Sequence, residues 1–318
     1  MDRRANLLKG LQVTYQSGDI ITTVTISHHK GGTGKTTACL NIAGFCVLAG
    51  RRVLVVDCDP QANATAGLGI SPESAGRNMY DLFMSRTEGF PVIGFHDIIR
   101  KTASGIDCAP SSLDLVGAEP YLYQIDSRAC VLDDALEDVR QDYDLILIDT
   151  PPSMGQFVIN SLFAANHVIV TLDTGSFALH GVTTLSTIFD DIKENLGKEI
   201  RVEMAIISRW GEGCIPDSLA KDQHEDNGIR SRLLRFFSSR RSPTPEEMAE
   251  RKEQAKESER LSMMLTGIQH RFPLVYTVPY SPEIYEAQKR GMPISHVAPD
   301  SNAGRVYRTI AEEVMKWI

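Results

Sequence analysis

The chain has no C-x-x-C pair: its six cysteines stand apart, several of them inside apolar runs where they read as small core residues, which fits a reducing cytoplasm. It also lacks any apolar run near the roughly 18–20 residues that a membrane span needs. The Met1–Asp19 lead has Lys9 and Gln12 inside its only apolar stretch and no small-residue cleavage site, so it does not read as a signal peptide. Positive charge is in short supply. With a net charge of −8, wholesale attraction to DNA or anionic lipid is not expected, and any such binding needs a local basic patch. The eight histidines contain no H-x-x-x-H or similar cluster, which removes support for a metallohydrolase. An N/T-K-x-D guanine-reading motif is absent as well. What remains is an ordinary globular composition, 42% hydrophobic and 23% charged, in 318 residues, enough for one large α/β domain or two smaller ones.

The organising stretch is Lys30–Thr37, Lys-Gly-Gly-Thr-Gly-Lys-Thr-Thr, between an apolar β-branched run, Ile20–Ile26, and a helical pattern, Ala38–Leu48. Strand, glycine-rich turn and helix form the context that a phosphate-binding loop requires. Gly31, Gly32 and Gly34 let the backbone turn tightly and bring its N–H groups, with those of Thr33 and Thr37, close to an anion. The helix that starts there adds the positive end of its dipole. Lys35 is placed to reach the β- and γ-phosphates, and the Thr36 hydroxyl to complete the shell of a Mg²⁺ ion.

Further along, Arg52–Asp57 is an apolar run of the buried parallel type, and Pro60 ends it. Asp57 and Asp59 therefore stand at the carboxyl end of a strand, the edge where open α/β sheets bind ligands. Tyr143–Asp149 is a second apolar strand ending in a carboxylate, the Walker B pattern, with Asp149 holding Mg²⁺ directly or through water. Short helical pieces are expected at Met79–Met84 and Phe95–Lys101, a strand at Ile106–Ala109 and a helix at Ser127–Arg140. Helix Phe157–Ala165, strand His167–Leu172, a helix from Gly175 toward Leu196, and strands Val202–Ser208 and Val275–Pro279 follow. Helix Ser281–Arg290 and a terminal helix Asp300–Ile318, with Val306, Ile310 and Val314 at i, i+4, i+8, complete the pattern. The fold class is α/β: a doubly wound, mostly parallel sheet with helices on both faces.

These segments together resemble the ParA/MinD family of deviant Walker A ATPases. Lys30 stands where that family has its signature lysine. Asp57-Cys58-Asp59-Pro60-Gln61-Ala62-Asn63-Ala64-Thr65 is similar to its D-x-D-P-Q-x-N-A-T motif, and Asp149–Gly155 to its D-x-P-P-S-x-G switch segment. Phe177-Ala178-Leu179 with Gly181 also looks like the family. The resemblance is strong over Ile20–Gly69 and Tyr143–Gly181 and traceable over Val275–Trp317. It implies one ATPase domain over 1–318, with a short extension 1–19 and a helical insertion at about 212–270. It implies Mg-ATP as ligand and a homodimer closed around two nucleotides, Lys30 of each subunit on the other's phosphates. Asp59 then positions the attacking water, Asp57 orders the metal site, and Gly155 offers its N–H to the γ-phosphate. Hydrolysis is expected to be slow and accelerated by an adaptor protein. Ser208–Arg209 and the Pro279 region are expected near the adenine by the same analogy.

The departures carry as much information. Between Trp210 and Phe272 the resemblance fails, and the segment is polar and long. Thr244 and Pro245 read as a helix start, with a charged helix running to about Leu265, either a solvated face or a docking element. Arg230, Arg232, Arg235, Arg240 and Arg241 occur there with no acid among them, a candidate for non-specific DNA contact or simply the polar side of a short helix. Many partition ATPases carry P-R-x-x-R-x-x-E-A after the last strand, whereas Pro279–Ala287 has Tyr280 and Glu283 at the arginine positions. Two functions stay open: a switch that binds DNA and positions cargo at the nucleoid, or one that acts only through protein partners. Electron transfer of the nitrogenase iron-protein kind needs a cysteine just after the Walker B strand, and Thr150–Gly155 has none. MinD proteins end in a membrane-targeting amphipathic helix. Here Glu312 and Glu313 and the lack of a basic tail favour a packed core helix and no membrane contact.

Overall fold

A computed structural model describes residues 22–174, 178–210, 256 and 259–318. Its strands are β1 (Thr22–Ser27), β2 (Val53–Asp57), β3 (Arg100–Lys101), β4 (Asp107–Ala109), β5 (Leu145–Asp149), β6 (His167–Leu172), β7 (Val202–Trp210) and β8 (Leu274–Pro279). They form one sheet in the order β3-β4-β2-β5-β1-β6-β7-β8, parallel throughout except for the β3–β4 edge pair. The main helices are α1 (Lys35–Leu48), α2 (Asn63–Gly67), α3 (Gln156–Ala164), α4 (Ala178–Leu196), α5 (Pro282–Lys289) and α6 (Asn302–Val314). From β1 the chain crosses to β2 on one side, and later reaches β6 on the other. The loop after β1 thus lies where the winding reverses, the usual ligand position of a doubly wound sheet.

The unbroken apolar runs of β2 and β5 follow from burial on both faces. Val53, Val55, Leu145 and Leu147 pack with α1 and α6 on one side, and Leu54, Val56, Ile146 and Ile148 face the opposite cluster. Central β1 alternates differently. Val24 and Ile26 face α1, while buried Thr25 donates its hydroxyl to the Ser161 carbonyl of α3 at 2.6 Å. Helix α6 buries Tyr307, Ile310, Ala311 and Val314, with Val306 half-buried beside them. Among the described residues no helix is long and apolar enough to cross a membrane.

Two expected helices are shorter than their sequence patterns. The first stops at Ile98, because Arg100–Lys101 pairs with β4 as an edge strand. The second covers only Val131–Leu136, since the Arg128 carbonyl accepts from Asn160 Nδ2 at 2.7 Å instead of from the next helical turn. Residues 259–269 are helical, and Leu261 and Ile268 pack beneath β6 and β7, so this end is anchored rather than wholly solvated. The helix start at Thr244–Pro245 and the five arginines Arg230, Arg232, Arg235, Arg240 and Arg241 lie outside the described residues. Cys39, Cys46, Cys58 and Cys108 are buried free thiols.

Candidate functional site

Helix α1 begins without a capping side chain. Its N-cap is Gly34 at φ 90°, and no acid stands in its first turn. The backbone N–H groups of that turn have no intrahelical partner and point to the end of the helix, which makes a ready anion seat. Gly32, at φ 76°, adds a second left-handed residue to the loop. An alanine Cβ at Gly34 would come 2.5 Å from Ser208 Oγ, so only glycine fits that turn. The loop borders an open cleft of about 690 Å³, within the range of roughly 300–1,000 Å³ for small-molecule sites.

Lys35 is 6% exposed and curls back over the loop, its ammonium donating to the Lys30 carbonyl at 3.2 Å. Burial lowers its pKa, and Asp149 and Asp59 oppose that shift. The Thr36 hydroxyl donates to Asp149 Oδ2 at 2.6 Å. Asp149 Oδ1 is buried with no hydrogen-bond partner. Burial, reinforced by Asp57, pushes the Asp149 carboxyl well above its ordinary range. A buried carboxylate with an orphan oxygen is costly unless a cation meets it. The hydroxyl–carboxylate pair therefore fits a hard divalent cation of the Mg²⁺ type, which binds through one or two such groups with water and phosphate. Among the described residues no group of three or more His, Cys, Asp or Glu forms an all-protein metal cage.

Asp57 and Asp59 differ despite their spacing. Asp57 is fully buried and accepts from Asp59 N at 3.1 Å, Thr65 N at 2.8 Å and Thr65 Oγ1 at 2.7 Å. Burial nevertheless pushes its pKa up to about 6. Asp57 thus holds the turn together, whereas Asp59 lines the cleft opposite Lys35 and accepts from Gln61 N at 2.9 Å. Thr33 is buried, its hydroxyl 3.0 Å from that of Thr171, so its side chain serves the loop. The Thr37 hydroxyl accepts from Gln288 Nε2 of α5 at 3.2 Å, closing the cleft on that side. Lys30, half-exposed at the head of the loop, pairs with Asp173 just past β6. Gly155 is not part of the cleft wall. It caps α3 with its Cα packed against the Glu119 carboxylate.

Comparison with known proteins adds the relationship. A family model described as an AAA domain matches residues 21–202. Soj, the sporulation initiation inhibitor protein of Bacillus subtilis, is 37% identical over 186 residues, 58% of this chain and 71% of the relative. The chromosome-partitioning ATPase Soj of Thermus thermophilus is 30% identical over 296 residues, 92% of this chain and 94% of that one. This chain belongs to the ParA/MinD family of P-loop ATPases. Its fold is also that of MinD from Pyrococcus horikoshii, solved with Mg-ADP, at TM-score 0.62 and 20% identity over 93% of this chain and 96% of that one. Cobyrinic acid a,c-diamide synthase of Mycobacterium smegmatis, solved with an ATP analogue and magnesium, gives TM-score 0.64 and 22% identity over 93% and 95%.

Within this ParA/MinD fold the far cleft wall comes from the ends of β7 and β8. Ser208, Arg209, Pro279 and Tyr280 line it, where the adenine is expected. Arg209 adopts φ 57°, in the left-handed region that few non-glycine residues occupy. Gln288 and Asp173 have no motif to announce them. Asp173 was open to the strand-end rule that found Asp59, since it follows β6 directly.

Proposed function

We propose that this chain is a ParA-like switch that binds Mg-ATP, dimerises in the ATP state, hydrolyses ATP slowly under control of an adaptor protein, and positions DNA or other cargo. The observation that carries this reading is the convergence on one cleft of an uncapped helix N-terminus, a buried lysine and the Thr36–Asp149 pair with its orphan oxygen. The amides of Gly32–Thr37 and the Lys35 ammonium hold the β- and γ-phosphates, and Asp59 orients the attacking water. Thr36 and Asp149 would hold Mg²⁺, which would supply charge neutralisation beside the phosphates. Lys30 serves the partner subunit's nucleotide. Its pair with Asp173 is an exposed ion pair, worth about 0–1 kcal/mol, so releasing it costs little. The chain is read as one ATPase domain with a helical insertion at about 212–270.

The test is Asp59→Ala. The variant is expected to bind ATP and dimerise while turnover falls at least a hundredfold; unchanged turnover would remove Asp59 from the mechanism. A second reading, a switch that works only through protein partners, is favoured by Tyr280 and Glu283 at the positions of the family's arginines, with Tyr280 54% exposed at the cleft rim. Retention of the ATP-loaded protein on arbitrary duplex DNA at two salt concentrations separates the two. Salt-sensitive retention selects DNA binding, and none at either concentration selects the second reading.

A further inference from the structure

The switch segment leaves the sheet at Thr150, whose hydroxyl donates to the Ile26 carbonyl at 2.8 Å. It re-enters the fold at α3, which is fastened in the middle. There Asn160 Oδ1 accepts from Leu132 N at 3.0 Å, and the Ser161 carbonyl accepts from Thr25. Between these anchors Pro152 and Ser153 are exposed. The position of the segment is therefore decided at the first turn of α3, and the group there is foreign to the helix. Glu119 Oε1 accepts from Gln156 N at 2.8 Å, and an alanine Cβ at Gly155 would lie 2.0 Å from that same oxygen. The glycine of the switch motif makes room for this carboxylate.

Glu119 is itself placed from the other half of the site. It follows a helical stretch, Leu113–Ala118, whose Leu115 and Ala118 are buried, and is the first residue of the short helix Glu119–Leu122. The stretch starts beside Ser111, whose N–H donates to Thr65 Oγ1 at 2.9 Å, and Thr65 in turn donates to Asp57. One continuous strut thus runs from the Asp57–Asp59 turn to the switch helix.

We propose that Glu119 is a positioning residue for hydrolysis: its carboxylate caps α3 and so fixes where the segment from Asp149 to Gly155 stands relative to the nucleotide cleft. The proposal rests on the ATPase reading above. A charge-assisted cap is among the stronger local hydrogen bonds, and its loss leaves the Gln156 N–H without its acceptor while the Gln156 carbonyl stays bonded to Asn160 and Phe157 stays packed on Phe83.

Steady-state kinetics and amide exchange test it together. Glu119→Ala should lower kcat on the order of tenfold while KM for ATP moves less than about twofold, because α1 and Lys35 are untouched. Glu119→Gln keeps an acceptor oxygen and should recover most of kcat. Gly155→Ala evicts the carboxylate and should match Glu119→Ala, with the double variant no worse than either single one. In nucleotide-free protein, the amides at the start of α3 should exchange about tenfold faster in the alanine variants and near the native rate in Glu119→Gln. Native kcat in Glu119→Ala, a Glu119→Gln variant as poor as the alanine one, fully additive losses in the double variant, or unchanged exchange would each overturn the assignment. Exchange requires no turnover. A chain that hydrolyses no ATP would sink the functional reading and leave the cap to be judged on exchange alone.

Discussion

Replacing Gly34 by alanine probes the geometry on which the nucleotide site depends. Gly34 sits at φ 90° and ψ 22° and accepts the first α1 hydrogen bond, from Ala38 N at 2.8 Å. A left-handed conformation costs a residue with a Cβ about 1–2 kcal/mol. The new Cβ would also stand 2.5 Å from Ser208 Oγ and 3.3 Å from Ser208 Cβ. The hydroxyl contact is far inside van der Waals range, so Ser208 must rotate or the loop must shift, at a further cost of about 1–3 kcal/mol. Together these predict a loss of about 2–5 kcal/mol in stability and, because the shift moves the amides that face the phosphates, at least a hundredfold weaker ATP binding. Thermal unfolding and a fluorescent-nucleotide titration read the two effects. Adding Ser208→Gly should recover the steric part of the stability loss and leave the backbone part. If Gly34→Ala melts within 1 °C of the native protein and binds ATP normally, the described loop conformation is wrong.

His28 gives a pH prediction. Burial, with neighbouring His29 and Lys35, pushes its imidazole down to about 4, while Asp173 acts in the opposite sense. The unfolded chain then binds a proton at this site that the folded one refuses between about pH 6.5 and 4, so the part of the stability owed to His28 rises with pH through that window and is lost on acidification, while the raised Asp57 acts in the opposite sense. Between pH 7 and 4.5 this amounts to about 2 kcal/mol, and His28→Asn should flatten that part of the stability-versus-pH curve; an unchanged slope would refute the buried neutral histidine. Lys30→Ala should bind ATP within about threefold of native yet stay monomeric by light scattering, and an ATP-dependent dimer of the variant would contradict the cross-subunit role. Asp149→Asn removes a buried charge whose carboxyl is shifted upward by burial. The nucleotide-free variant should melt no lower than native, while the Mg²⁺-dependent part of its stabilisation by ATP disappears. Persistence of that part would move the cation elsewhere.

Most of the site's chemistry is written in consecutive residues, and local rules suffice to read it. A glycine-rich turn between strand and helix, a carboxylate at the end of an apolar strand and a proline that stops another strand each act within a few residues. They place Lys35, Thr36, Asp59 and Asp149 on one edge of the sheet, because side chains at parallel strand ends share that edge whatever the connections do. Tertiary structure decided which of two neighbouring aspartates faces the cleft. Asp59 N and both the N–H and the hydroxyl of Thr65 in α2 donate to Asp57, and Asp59 lines the cleft. It also decided that Gly155 lies against the carboxylate of Glu119, a residue 36 positions earlier in an unremarkable connector. Gln288 against Thr37 and Asp173 against Lys30 arise in the same way. Such pairs have no sequence period, since they exist only where separate strands and helices end side by side.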